Sequence, residues 1–148
     1  MAAGKSDFKV ITVTPTLSTD AYSQYDVLFN PVEIPNAVIG NGGCSKLKAM
    51  FMVDQDAEEF DAVFIFSQNN TNLGTINATA DIADADLEAM NIIGMLRGDA
   101  DVSSGSTIDN ARISQIMNSS AGSSNVTIGT TDMLLQAADN STSVYVSA

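Results

Sequence analysis

The sequence predicts a mainly β protein: an antiparallel β-sandwich or jelly roll of seven or eight short strands, with one or two short helices. Three observations predict it. Apolar residues alternate with period two in several short runs. Those runs are rich in Val, Ile, Thr and Phe, and clusters of Gly, Pro, Asn, Asp and Ser separate them. No regular alternation of strands with long helical patterns occurs, and no internal repeat is found. With 148 residues, 45% of them apolar, the chain is long enough for one domain with a real core.

Residues 1–7 read as a flexible N-terminal arm carrying Lys5. FKVITVT (8–14) reads as a first strand and YDVLF (25–29) as a second. Pro31 and Pro35 allow only edge-like or extended structure between them. Asn41, Gly42 and Gly43 make a turn. In KLKAMFMVD (46–54), strict alternation puts Leu47, Ala49, Phe51 and Val53 on one face. Lys46, Lys48, Met50 and Met52 share the other. In FDAVFIF (60–66), Phe60, Ala62, Phe64 and Phe66 share a face, and Val63 and Ile65 make the opposite face apolar too. The expected core is therefore Leu47, Phe51, Phe60, Phe64 and Phe66. A strand apolar on both sides is covered on both sides. Met50, Met52, Val63 and Ile65 are the candidate subunit contact, with a short helix at 84–90 as the competing cover from within the chain.

IADADLEAMNIIGML (82–96) reads as one short helix followed by a strand. Asp84 is the expected N-cap, and Asp86 and Glu88 suit the first turn. Residues 98–131 are a polar Ser/Thr/Asn-rich loop or insertion. Within it, Ser106 and Asp109 suggest a capping box opening a weak helix to about Met117. DMLLQAADNSTSVYVSA, at the end, reads as a hairpin turning at Asp139–Ser141.

Charge and residue types narrow the function. Six basic residues against eighteen acidic ones give a formal charge of −12. Nucleic acid and anionic membranes both need a cationic surface, so neither is an expected partner. There is no histidine, hence no ordinary general base and no Ser–His triad. Cys44 is the only cysteine, which rules out an internal disulfide and a Cys-rich zinc site; a buried small hydrophobe is its expected role. MAAGKSDFKV lacks the apolar core of a signal peptide, so the expectation is a protein made in a cytosol and not exported by a visible signal.

The acidic stretch Asp54, Asp56, Glu58 and Glu59 is the strongest candidate for chemistry. An EF-hand loop starting at Asp54 would need Gly at its sixth position and Glu at its twelfth; Glu59 and Ile65 stand there. Loops starting at Asp84 or Asp99 fail likewise. A glycosidase pair needs one acid in a partly apolar pocket, whereas these acids fall in polar turns. A solvated tip between two strands explains them better, and it discourages edge aggregation. No phosphate loop, GxSxG elbow or HExxH is present. Asn69, Asn77, Asn118, Asn125 and Asn140 begin N-x-S/T sequences, which follow from the composition. No catalytic, metal or cofactor residue is expected, and a cryptic hydrolase ranks last.

The order IPNAV, SKLKAMFMVDQD, DAVFIFSQNNTNLGTINA, IADADLEAMNIIGML and LLQAADNSTSVYVSA resembles small virion proteins of tailed bacteriophages, particularly marine ones. The resemblance covers about residues 32–97 and 132–147. Residues 98–131 are longer and richer in serine than it suggests, and relatives often run on past the equivalent of Ala148. The resemblance implies a β-sandwich module of the capsid decoration, or cement, type. It also implies the major capsid protein as partner, a homo-oligomer with a trimer as the favoured state, and a place on the capsid surface after assembly in the host cytoplasm. A host-recognition module on a head or tail fibre, binding through 98–131, is the alternative.

Overall fold

The structure is a computed structural model that describes residues 10–55, 61–98, 106–108, 111–116 and 132–148. Among these, nine strands and one short helix are found, and every strand pairing is antiparallel. In chain order they are β1 (Val32–Ile34), β2 (Cys44–Leu47), β3 (Met50–Asp54), β4 (Ala62–Ser67), α1 (Asp84–Ala89), β5 (Ile92–Gly98), β6 (Ser106–Ile108), β7 (Ala111–Ile116), β8 (Met133–Gln136) and β9 (Val144–Ser147). A four-stranded sheet runs β1-β9-β4-β5, a pair joins β2 to β8, and a three-stranded sheet runs β3-β7-β6.

β4 anchors the core because its period-2 pattern is complete. Ala62, Phe64 and Phe66 are buried on one face, opposite Gly98, Leu96 and Gly94 of β5. Across the other ladder, Phe66 faces Val146. Phe64 and Phe66 join Phe29, Val38, Leu96, Leu135, Ala137 and Val144 in the main core. The rings of Phe29 and Phe64 lie 6.5 Å apart and tilted by 50°, within the range of favourable aromatic pairs. Residues from β2, β3 and β8 close this core, with Leu47, Met50, Met52 and Met133 packed against it. Gly94 permits the close approach: a Cβ there would meet the Met133 sulfur at 2.5 Å.

The reverse face of the four-stranded sheet is covered in part, around Ile65, from within the chain. Val27, Leu73 and Met90 form a second, smaller cluster, against which Ile65 and Ile82 pack. Helix α1 itself buries nothing; the residue that ends it, Met90, is fully buried. Asn91 follows with φ 50°, the left-handed conformation that commonly ends helices. The N-cap is Ala83, with no side-chain capping bond, so Asp84 stands in the first turn rather than at the cap. Its charge still suits the helix dipole.

Four further expectations are corrected. Of the expected strand 8–14, residues 10–14 join no ladder among the described residues, and Phe8 and Lys9 lie outside them. Residues 25–29 form bridges rather than a strand: Asp26 pairs with Thr79, Val27 with Ile76, and Leu28 and Phe29 both donate to the Ala148 carbonyl. The end of the chain turns at Asp139 and Asn140, but β8 and β9 do not pair with each other. They separate into two sheets, β8 against β2 and β9 between β1 and β4. Ser106 begins no helix: β6 and β7 form a hairpin, with Ile108 opposite Ala111. Gly98 ends β5; residues 99–105, 109–110 and 117–131 of the polar segment, and the arm 1–7, lie outside the described residues.

Candidate functional site

The faces of β3 are inverted relative to strict alternation. Phe51 is 62% exposed and Val53 58%. Met50 and Met52 are half-buried and packed on the core. The cause lies at residues 48–49. Leu47 points inward, but Lys48 and Ala49 are both exposed before Met50 turns inward again. Two outward residues in succession shift the phase by one, and a one-residue shift moves every later side chain to the other face. β2 and β3 accordingly pair with different strands, β8 and β7.

The expected core residues therefore divide. Phe64 and Phe66 are buried, Leu47 packs against the core, Phe51 is a surface residue and Phe60 lies outside the described residues. The candidate subunit contact divides too. Met50, Met52 and Ile65 are covered from within the chain, by the main core and by the Met90 cluster. Val63 alone of the four stays largely open, at 45% exposure, with Met95 of β5 at 56% nearby on the same face. Met95 was not singled out in the sequence; its place opposite Ile65 required the β4–β5 register.

Cys44 is exposed at the start of β2, which corrects the expectation of a buried thiol. Of the acidic stretch, Asp54 ends β3, and Asp56, Glu58 and Glu59 lie outside the described residues. Among the described residues no three His, Cys, Asp or Glu side chains converge as a metal ion would need. Asp61 pairs with Arg97 at 3.2 Å, and Asp132 with Lys48 at 3.0 Å and Lys46 at 3.7 Å, all at the surface.

An open cleft of about 480 Å³ is lined by Gln68, Asn91, Ile92, Ile93, Leu134 and Gln136. Its origin is the irregularity where β4 meets β5. Phe66 faces Gly94 but Ser67 faces Ile92, so Ile93 is an extra residue. Gln68 holds one wall: its backbone N–H donates to the Asn91 carbonyl at 3.0 Å, and its Nε2 reaches the carbonyls of Gln136 and Ala137 at 3.3 and 3.4 Å. Asn69 braces the helix end through Nδ2 to the Ala89 carbonyl at 2.7 Å. Three carboxamides and three aliphatic side chains line this cleft. They can hydrogen-bond a neutral group and pack against it, but none of them can exchange a proton near neutral pH.

No helix among the described residues is long and apolar enough to cross a membrane. No family model matches this chain, no curated protein matches it in sequence, and no solved structure matches it in fold.

Proposed function

We propose that this chain is a non-enzymatic structural protein of a tailed-phage particle, which decorates the capsid shell and stabilises it by binding the major capsid protein. In this reading the four-stranded sheet and the β2–β8 and β3–β7–β6 sheets are the two leaves of a β-sandwich. The observation that carries the proposal is the surface of β3, β4, β5 and β8. Phe51, Val53, Val63, Met95 and Leu134 are each between 45% and 62% exposed on a chain of formal charge −12. Exposed apolar residues in such number on sheet surfaces suit a protein that is covered by assembly. Many weak copies of one contact stabilise a shell by avidity.

A second reading, a host-recognition module on a head or tail fibre, draws on the neutral carboxamide cleft, which would suit an uncharged polar ligand such as a sugar. Quantitative staining of purified particles and electron microscopy separate the two. Decoration requires a copy number comparable with that of the major capsid protein and regular density over the shell. A few copies at the tail would favour the second reading. Absence from the particle would refute both.

A further inference from the structure

We propose that Asn41 is a latent deamidation site, held unreactive because the fold locks the backbone nitrogen of Gly42 between two carbonyls of a second turn. Asn41–Gly42 is the single Asn–Gly pair in the sequence. Asparagine before glycine is the pair most open to attack by its own backbone. Glycine has no Cβ to shield its nitrogen, and its main chain turns freely. In the reaction the Gly42 nitrogen loses its proton to solvent and bonds to Asn41 Cγ. The Cγ–Nδ2 bond breaks, and the amide nitrogen takes up a proton and leaves as ammonia. Water then opens the cyclic succinimide at one carbonyl or the other, leaving aspartate or isoaspartate at position 41. Water is the only co-reactant.

The side chain to be attacked is exposed, but the attacking nitrogen is not free. Gly42 N–H donates to the Ala138 carbonyl at 3.1 Å and to the Ser141 carbonyl at 2.9 Å. A nitrogen whose proton is shared by two carbonyls is slow to lose that proton and cannot swing toward Cγ. Gly42 has φ 66°, and a Cβ built on it would stand 3.2 Å from Asp139 Cα, so the two turns lie in contact there. Further bonds lace the turns together: Val38 N–H to the Thr142 carbonyl and Ala137 N–H to the Gly43 carbonyl, both at 3.1 Å. Val38 and Ala137 are buried in the main core, which anchors the lacing. Asn140–Ser141 is restrained in the same way, because Ser141 N–H donates to the Ala138 carbonyl at 2.9 Å. One carbonyl, that of Ala138, thus holds both attacking nitrogens.

Reaction at Asn41 therefore requires local opening of the lacing, of the kind that precedes amide exchange. At their usual net strength, two hydrogen bonds hold the open form to about a tenth of the population or less. Once formed, isoaspartate routes the main chain through the side chain and lengthens it by a methylene. Gly42 N–H then no longer lines up with both carbonyls. Either product also places a new negative charge on the turn that packs against Asp139. Both effects oppose closure, so the modification records that a chain has opened. The site does not depend on the virion reading, because its chemistry belongs to the two turns alone.

The test follows the purified full-length chain at one pH and temperature, with and without urea. Peptide mass spectrometry and an isoaspartate assay measure conversion at position 41. Conversion should be slower in the folded chain by about tenfold or more, and Asn41→Gln should abolish the signal. Hydrogen exchange should find the Gly42 amide protected. Gly43→Ala, whose Cβ collides with the Ile39 carbonyl oxygen, strains the first turn and should speed conversion under folding conditions. Circular dichroism checks that this variant remains folded. Equal rates with and without urea, no conversion in urea, or a Gly42 amide that exchanges as in an unfolded chain would each overturn the proposal. The comparison in urea and the exchange measurement use the unsubstituted chain, so they decide the matter even if Gly43→Ala does not fold.

Discussion

Replacing Phe64 and Phe51 by alanine, one at a time, should give opposite results. Phe64 is 8% exposed, sits in the main core and pairs with the Phe29 ring. A phenylalanine buries roughly 200 Å² when fully enclosed. At about 25 cal/mol per Å² that is a transfer term near 5 kcal/mol, an upper value because the unfolded chain already hides some surface. Alanine keeps part of the term, and the unfilled space adds a cavity cost, so Phe64→Ala should lose about 3–5 kcal/mol. For a chain of this size the melting temperature should fall by about 6–20 °C. Phe51 is 62% exposed, so under half of the same area is at stake, and Phe51→Ala should cost about 1 kcal/mol. Thermal and urea unfolding, at a concentration where the chain is monomeric, measure both. If Phe51→Ala costs as much as Phe64→Ala, the inverted phase of β3 is wrong, and the break at Lys48 and Ala49 with it.

Three further expectations follow from named contacts. Cys44 should react with a thiol reagent in the folded protein at the rate of an open cysteine, and protection lifted only by denaturant would contradict its exposure. A Cβ at Gly43 would collide with the Ile39 carbonyl oxygen and stand 2.8 Å from that of Gly40, both backbone atoms. Gly43→Ala should therefore cost about 1–3 kcal/mol, whereas Gly94→Ala, which meets the flexible end of Met133, should cost less; urea midpoints give the order. Asp132→Asn removes a surface partner of Lys46 and Lys48 and should change stability by less than about 1 kcal/mol, with the difference vanishing in high salt.

The legible parts of this fold were those where the pattern was local. The helix before a strand in 82–96 followed from acids in a first turn and an apolar run after it, and β4 from unbroken alternation. Pro31 and Pro35 do flank an edge strand. What was not legible depended on partners far away. The period of β3 is the same on either face, and only its packing on the core reveals that the phase slipped at residues 48–49. The capping residues Ser106 and Asp109 suggested a helix, but pairing of Ile108 with Ala111 and of Met50 with Ile116 supplies a ladder that local propensity cannot outweigh. The turn at Asp139 was visible, yet nothing local says that the strands on either side enter different sheets. For the candidate cleft, Gln68 and Gln136 carry no motif; they meet because of one irregular residue between β4 and β5.

The position of β9 carries a consequence in time. Residues 144–147 fill the middle of the principal sheet, with Val32 paired to Val146 and Ile65 to Ser147. A ribosome adds about 5–20 residues per second, so β1 and β4 wait for seconds with their inner edges open before the strand that joins them emerges. Until then β4 can complete only its β5 ladder, and Val144, fully buried in the finished core, is missing from it. Closure across more than a hundred residues makes folding slow by the standard of small domains, on the order of milliseconds to seconds. The nascent chain thus passes through a stage in which its most apolar strand is half-paired, and the cell's holding chaperones would meet it there rather than at any later step.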